Sequence, residues 1–124
     1  MISEARMKLN HLNLTVSNVP DAHRFLEKYF GLKGYHGMEP REGMSFMSDD
    51  SGMLLALFRA SNGSSLKYPA GFHIGFIQDS EEDVNQINQR LRDDGYHVPK
   101  PARLHGSWTF YFQAPGGFTV EVLR

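Results

Sequence analysis

The chain has no cysteine among its 124 residues, which excludes disulfides, thiolate metal sites and cysteine nucleophiles. Any metal must then be held by nitrogen and oxygen donors. Charge of one sign is not in excess either: 13 Lys and Arg against 14 Asp and Glu leave a formal −1. Charges this balanced, spread along the whole chain, give no electrostatic footprint for nucleic acid or an anionic membrane, so the expected partner is a small molecule. No apolar run approaches the roughly 20 residues of a membrane span. Met1-Ile2-Ser3-Glu4-Ala5-Arg6 carries charges where a signal peptide needs an apolar stretch, and a cytoplasmic protein is expected. The length suits one domain with a real hydrophobic core. Residues 1–8 read as an N-terminal extension and 9–124 as the domain.

What is present is a duplication. His11-Leu12-Asn13-Leu14-Thr15-Val16 alternates apolar and polar residues as a half-buried strand does, and His73-Ile74-Gly75-Phe76-Ile77-Gln78 repeats its beginning 62 positions later. After the first strand, Pro20 and Asp21 open a helix with an apolar stripe at Ala22, Phe25, Leu26, Tyr29 and Phe30, stopped by Gly31. After the second, Ser80 caps a helix whose core residues are Val84, Ile87 and Leu91, stopped by Gly95. Gly-Tyr-His follows each helix, at 34–36 and 95–97, and each half closes with two strands around a tight turn. Those strands are 44–48 with 53–58, and 108–113 with 118–123. The chain therefore reads as module 1 (9–60), a polar linker (61–70) and module 2 (71–124), each strand, helix, strand, strand, strand. The fold class is α+β: two tandem βαβββ modules whose curved mixed sheets form a cleft or half-barrel.

Strand parity assigns the faces. With Leu12, Leu14 and Val16 under the first helix, His11, Asn13 and Thr15 face the cleft. Ile74 and Phe76 are core, while His73 looks inward. Phe118, Val120 and Val122 form an apolar face, so Glu121 takes the opposite one, where a carboxylate is expensive to bury without a partner. His11, His73 and Glu121 make a two-histidine, one-carboxylate set suited to a divalent metal, with positions left for water or substrate. The hairpins superpose at an offset of 65, which puts Ala56 opposite Glu121, so the first half offers no matching carboxylate.

His11 to Pro20 with Phe25 and Gly31-Leu32 resembles the opening of a vicinal oxygen chelate module. Gly71 to Phe76 resembles the opening of a second, and Tyr111-Phe112-Gln113-Ala114-Pro115-Gly116-Gly117-Phe118-Thr119-Val120-Glu121 its closing hairpin. The superfamily is that of glyoxalases, bleomycin-resistance proteins and extradiol dioxygenases. The resemblance implies paired βαβββ modules, commonly a homodimer, and a bound Fe, Mn, Ni, Zn or Mg acting as a Lewis acid on a substrate with neighbouring oxygens. It thus implies a metal-dependent lyase, isomerase or dioxygenase, or else a metal-free binding protein that sequesters a hydrophobic or drug-like ligand.

Departures narrow the choice. Glyoxalase I ends its first module with a glutamate ligand where this chain has Ala56, and the phosphonate-holding residues of fosfomycin-modifying relatives are replaced by Asn13, Pro101 and His105. Tyr111, ten residues before Glu121, is expected to orient or protonate substrate, with His105 as a second proton carrier. Asn13, Phe46, Arg103, Trp108 and Thr109 are the expected substrate contacts, Arg103 and Lys100 for a carboxylate, and Met38, Phe46, Leu55 and Trp108 for an apolar wall. His36 and His97 read as structural or exposed, and His23, next to Arg24, as a surface residue.

Overall fold

A computed structural model describes residues 6–61 and 66–124, and these form two compact units with the same element order. The first comprises β1 (His11–Val16), α1 (Val19–Phe30), β2 (Lys33–Gly34), a 3-10 turn (Tyr35–Gly37), β3 (Met44–Ser48) and β4 (Leu54–Arg59). The second comprises β5 (Ile74–Ile77), α2 (Glu81–Asp93), β6 (Ala102–Leu104), β7 (Ser107–Ala114) and β8 (Phe118–Leu123). The sheets run β1-β4-β3-β2 and β5-β8-β7-β6. In each, the first strand is parallel to the last and the remaining pairs are antiparallel, so both sheets are mixed. The α+β reading with two βαβββ units therefore holds. Residues 1–5 of the expected extension and 62–65 of the expected linker lie outside the described residues.

The helices form where local chemistry starts and stops them. Asn18 accepts a hydrogen bond from the Asp21 N–H at 2.9 Å, Pro20 occupies the first turn, and Gly31 ends α1 in the left-handed region at φ 69°. Ser80 accepts from the Asp83 N–H at 3.1 Å, and Glu81, Glu82 and Asp83 crowd the positive end of α2 while Arg90 and Arg92 sit at its other end. Each helix covers one face of its own sheet. Under α1 lie Leu14, Val16, Met47 and Leu57, all fully buried with Ala22 and Leu26 of the helix. Under α2, Val84 and Leu91 meet Phe110, Phe118, Val120 and Val122. Each such Leu, Val, Met or Phe side chain contributes roughly 1.5–3 kcal/mol of transfer free energy. Two differences from expectation appear at β5 and α2. Ile74 and Phe76 are half-buried rather than core, and Asn88 is buried, donating to the Pro99 carbonyl at 2.8 Å beside the half-buried Ile87.

The repeated Gly-Tyr-His does not repeat in conformation. Gly34 has φ −54° and leads into the 3-10 turn, where His36 takes φ 53°, whereas Gly95 has φ 94° and ends α2. A Cβ on Gly34 would stand 2.0 Å from the Met38 carbonyl oxygen, so this position admits only glycine for reasons of space.

Candidate metal centre

Strand register decides which side chains share the helix-free face of the second sheet. Gly75, Glu121 and Tyr111 are directly paired across β5, β8 and β7, as are Thr119 with Gln113 and Leu123 with Thr109. Paired residues point the same way. Glu121, Tyr111, Thr109, Thr119 and Gln113 therefore stand on one side, opposite the apolar row of Phe118, Val120 and Val122 that faces α2.

Glu121 is only 8% exposed, and its two oxygens have different surroundings. Oε2 accepts a hydrogen bond from the Thr109 hydroxyl at 2.8 Å, and Thr109, itself buried, is also 3.0 Å from the Val122 carbonyl. Oε1 faces His73 Nε2 at 3.2 Å. The tautomer of His73 follows from its other nitrogen: Nδ1 lies 2.8 Å from the Gly71 carbonyl, which can only accept, so Nδ1 carries a hydrogen. Nε2 then presents a lone pair toward an anionic oxygen unless a cation stands between them, either a proton on Nε2 or a metal ion. Anchoring a histidine through one nitrogen to a carbonyl, with the other aimed at a carboxylate, is how metal-ligating imidazoles are held. An imidazole nitrogen and a carboxylate oxygen are two donors of the kind that a divalent metal takes.

Tyr111 completes this cluster. Its ring meets that of His73 edge to face, with centroids 5.2 Å apart. Burial first, and then its hydrogen bond to Glu121 and that carboxylate's charge, raise the phenol above its ordinary value. His11 opens β1 in the first unit, exposed, with Nδ1 3.1 Å from the Asn10 side-chain oxygen. An amide oxygen only accepts, so this imidazole too is anchored through Nδ1 with Nε2 left over. Within either unit, no group of three or more His, Asp or Glu side chains comes together among the described residues.

The other expected site residues are distributed differently. Asn13, Ala56 and Phe46 are paired across β1, β4 and β3, so Asn13 and Phe46 share the helix-free face of the first sheet with His11. Leu55, expected beside Phe46, is buried on the opposite face, paired with Leu12 and Met47 under α1. Trp108 and Arg103 are paired on the α2 side of the second sheet, away from Glu121. There the Trp108 indole donates to Asn85 of α2 at 2.8 Å, and Arg103 lies over the indole ring and bonds Glu81 at 2.9 Å. Their polar groups are committed to holding the helix. His105 occupies the two-residue turn between β6 and β7, exposed at φ 54° next to Gly106 at φ 77°. Of the expected catalytic and substrate-binding residues, Tyr111 and Thr109 join His73 at Glu121.

One polar pair went unanticipated. His23 is 3% exposed rather than on the surface, and its Nδ1 lies 2.6 Å from the hydroxyl of Ser45, equally buried on β3. Burial holds this imidazole below its ordinary value, outweighing the opposing pull of Glu27 and Glu39. The signal was available, because Val19, His23, Leu26 and Phe30 follow helical spacing along the apolar stripe.

Comparison with known proteins bears on the same residues. A family model described as Glyoxalase/Bleomycin resistance protein/Dioxygenase superfamily matches residues 8–122. Among solved structures, a possible glyoxalase from Bacillus cereus is 45% identical with a TM-score of 0.86, covering 96% of this chain and 100% of its own. A lactoylglutathione lyase from Agrobacterium tumefaciens is 20% identical with a TM-score of 0.74, over 97% of this chain and 95% of its own. Oxidase ChaP-H2 is 22% identical with a TM-score of 0.71, over 96% and 94%. Curated proteins give no significant match. The family match runs from before His11 to just past Glu121, over both βαβββ units, and the chain accordingly belongs to the Glyoxalase/Bleomycin resistance protein/Dioxygenase superfamily.

Proposed function

We propose that the protein is a divalent-metal-dependent enzyme of lyase, isomerase or dioxygenase type, acting on a small substrate that presents neighbouring oxygens. His73 and Glu121 hold the metal, with His11 as third ligand, supplied by the same chain or by a second copy in a homodimer. The observation that carries the reading is the approach of His73 Nε2 to Glu121 Oε1 at 3.2 Å, with the other imidazole nitrogen on the Gly71 carbonyl and the other carboxylate oxygen on the Thr109 hydroxyl. A bound divalent ion supplies Lewis acidity, stabilising negative charge that develops on a substrate oxygen. The rest is done by side chains of the chain itself. Thr109 fixes the rotation of the Glu121 carboxylate, and the Gly71 carbonyl fixes that of the His73 ring. Tyr111, kept as a phenol, turns its one O–H from Glu121 to a substrate oxygen when substrate is bound, and orients it. The lyase and the oxidase among the structural neighbours share this fold at about a fifth identity, so the fold alone does not choose between those chemistries.

The test is metal content. Anaerobically purified protein is expected to carry a divalent metal, and His73→Ala to lose most of its affinity for that metal. Metal-free protein whose ligand binding resists chelators would replace this reading with that of a binding protein.

A further inference from the structure

The second unit contains a cavity of about 310 Å³ lined by Leu66, Lys67, Tyr68, Phe72, Gln113 and Thr119, among others. Its floor is the sheet face that carries Glu121, since Thr119 and Gln113 are paired across β8 and β7 on that face. Its wall is the chain segment 66–72, pressed against the β7–β8 turn: at Gly117, with φ 87°, an added Cβ would meet the Leu66 side chain at 3.3 Å. Tyr68 and Phe72 of the wall stack at 4.4 Å with their rings 8° from parallel, giving a stiff apolar shelf. The same segment ends in Gly71, whose carbonyl anchors His73. Cavity and metal pair are therefore built from one piece of backbone.

The polar lining points to one ligand class. Lys67 is the only charged side chain lining the cavity among the described residues, and no carboxylate faces it there. The side chains of Lys67, Thr119 and Gln113 make no hydrogen bond or ion pair among the described residues, so an ammonium, a hydroxyl and an amide are available to a guest. Thr119 precedes Glu121 by two residues on the same strand face, roughly 7 Å along it. A molecule of modest length can thus sit in the cavity while its other end reaches Glu121 and His73.

We propose that this cavity is the substrate's tail site and that it takes a carboxylate group on a small, flat or short aliphatic body. Lys67 neutralises the carboxylate, Thr119 and Gln113 donate to it, and the Tyr68–Phe72 shelf packs against the body. The proposal rests on the enzyme reading above in calling the guest a substrate, yet the cavity itself needs no metal. Its test is accordingly run on metal-stripped protein, while metal content and the affinity of His73→Ala decide the other reading.

The probe is benzoate, with benzamide as its uncharged counterpart, followed by amide chemical shifts in a nitrogen-15 spectrum of the intact chain. Saturable benzoate shifts are expected at Phe72, Gln113, Gly117 and Thr119, with benzamide binding more weakly. Lys67→Met should weaken benzoate about threefold to fivefold, as for an exposed ion pair. Thr119→Val should weaken it about tenfold, as for a lost hydrogen bond to a charged group. Lys67→Met should alter benzamide binding by no more than about twofold, and neither substitution should alter metal affinity. Absence of saturable shifts, shifts mapping elsewhere, or equal binding of benzoate and benzamide overturns the proposal.

Discussion

The two units have one backbone plan, and among the described residues only the second buries a carboxylate on the helix-free face of its sheet. At equivalent register positions the first sheet has Asn13, Ala56 and Phe46 in a row, and the second has Gly75, Glu121 and Tyr111. The first unit keeps its buried hydrogen-bonding pair, His23 and Ser45, between helix and sheet. The second packs Phe110 and other apolar groups in that layer, buries Asn88 of α2 with its amide on the Pro99 carbonyl, and in addition buries Glu121 on its helix-free face. The plan itself needs no polar residue in either place, because the strands pair in the same order with or without one. The buried carboxylate of the second unit has no counterpart at Ala56 in the first, whereas the His23–Ser45 pair joins α1 to β3.

That contrast can be broken at its strongest point by Glu121→Gln, which keeps the side chain's shape and removes its charge. Metal affinity measured by titration calorimetry should fall more than about 100-fold, beyond the 10- to 100-fold range typical for groups that merely support a ligand. A fall of less than tenfold would make Glu121 a structural group like Ser45. His23→Ala should leave metal affinity unchanged and cost about 2 kcal/mol of stability in urea unfolding, since it opens a cavity and strands the Ser45 hydroxyl. His23 also gives the first unit a pH signature. Its folded-state value lies below 6.5, so the unfolded chain takes up this proton first on acidification. Stability is then full above that pH and is lost as the pH falls through the lowered folded value. The urea midpoint of the wild type should drop between about pH 7.5 and about pH 5.5 more steeply than that of His23→Gln. Thr109→Val should cost about 1 kcal/mol and lower metal affinity about tenfold, because it frees the Glu121 carboxylate to rotate. Trp108→Phe, which removes the bond to Asn85 on the far face, should cost about 1 kcal/mol with no change in metal affinity. Any loss of affinity there would blur the separation of the two faces.

Much of this was legible because period and punctuation agree. The alternation of His11 to Val16, the caps at Asn18 and Ser80, and the glycines at 31 and 95 place strands and helices within a residue or two. Parity then places Glu121, Tyr111 and Thr109 on one face. Parity outranks residue type at two positions: Trp108 alternates with Phe110 and Phe112 and belongs on their side, and Leu55 goes with Leu57. Arg103 sits in a strand of only three residues, too short to show a period. His105 has φ 54° because Leu104 and Ser107 pair across a two-residue turn, a register that no spacing in the chain announces. The second Gly-Tyr-His departs from the first because α2 runs on to Asp93 and takes Gly95 for its end, whereas α1 stops at Gly31, three residues before its copy.

The central claim, that His73 offers Nε2 to a cation held jointly with Glu121, is tested most directly by imidazole nitrogen-15 spectra during a zinc titration. The account predicts that His73 keeps its Nδ1 proton throughout while Nε2 moves to a metal-bound shift, and that Glu121→Gln greatly weakens the change. Zinc bound through Nδ1, or a His73 spectrum indifferent to zinc, would contradict it.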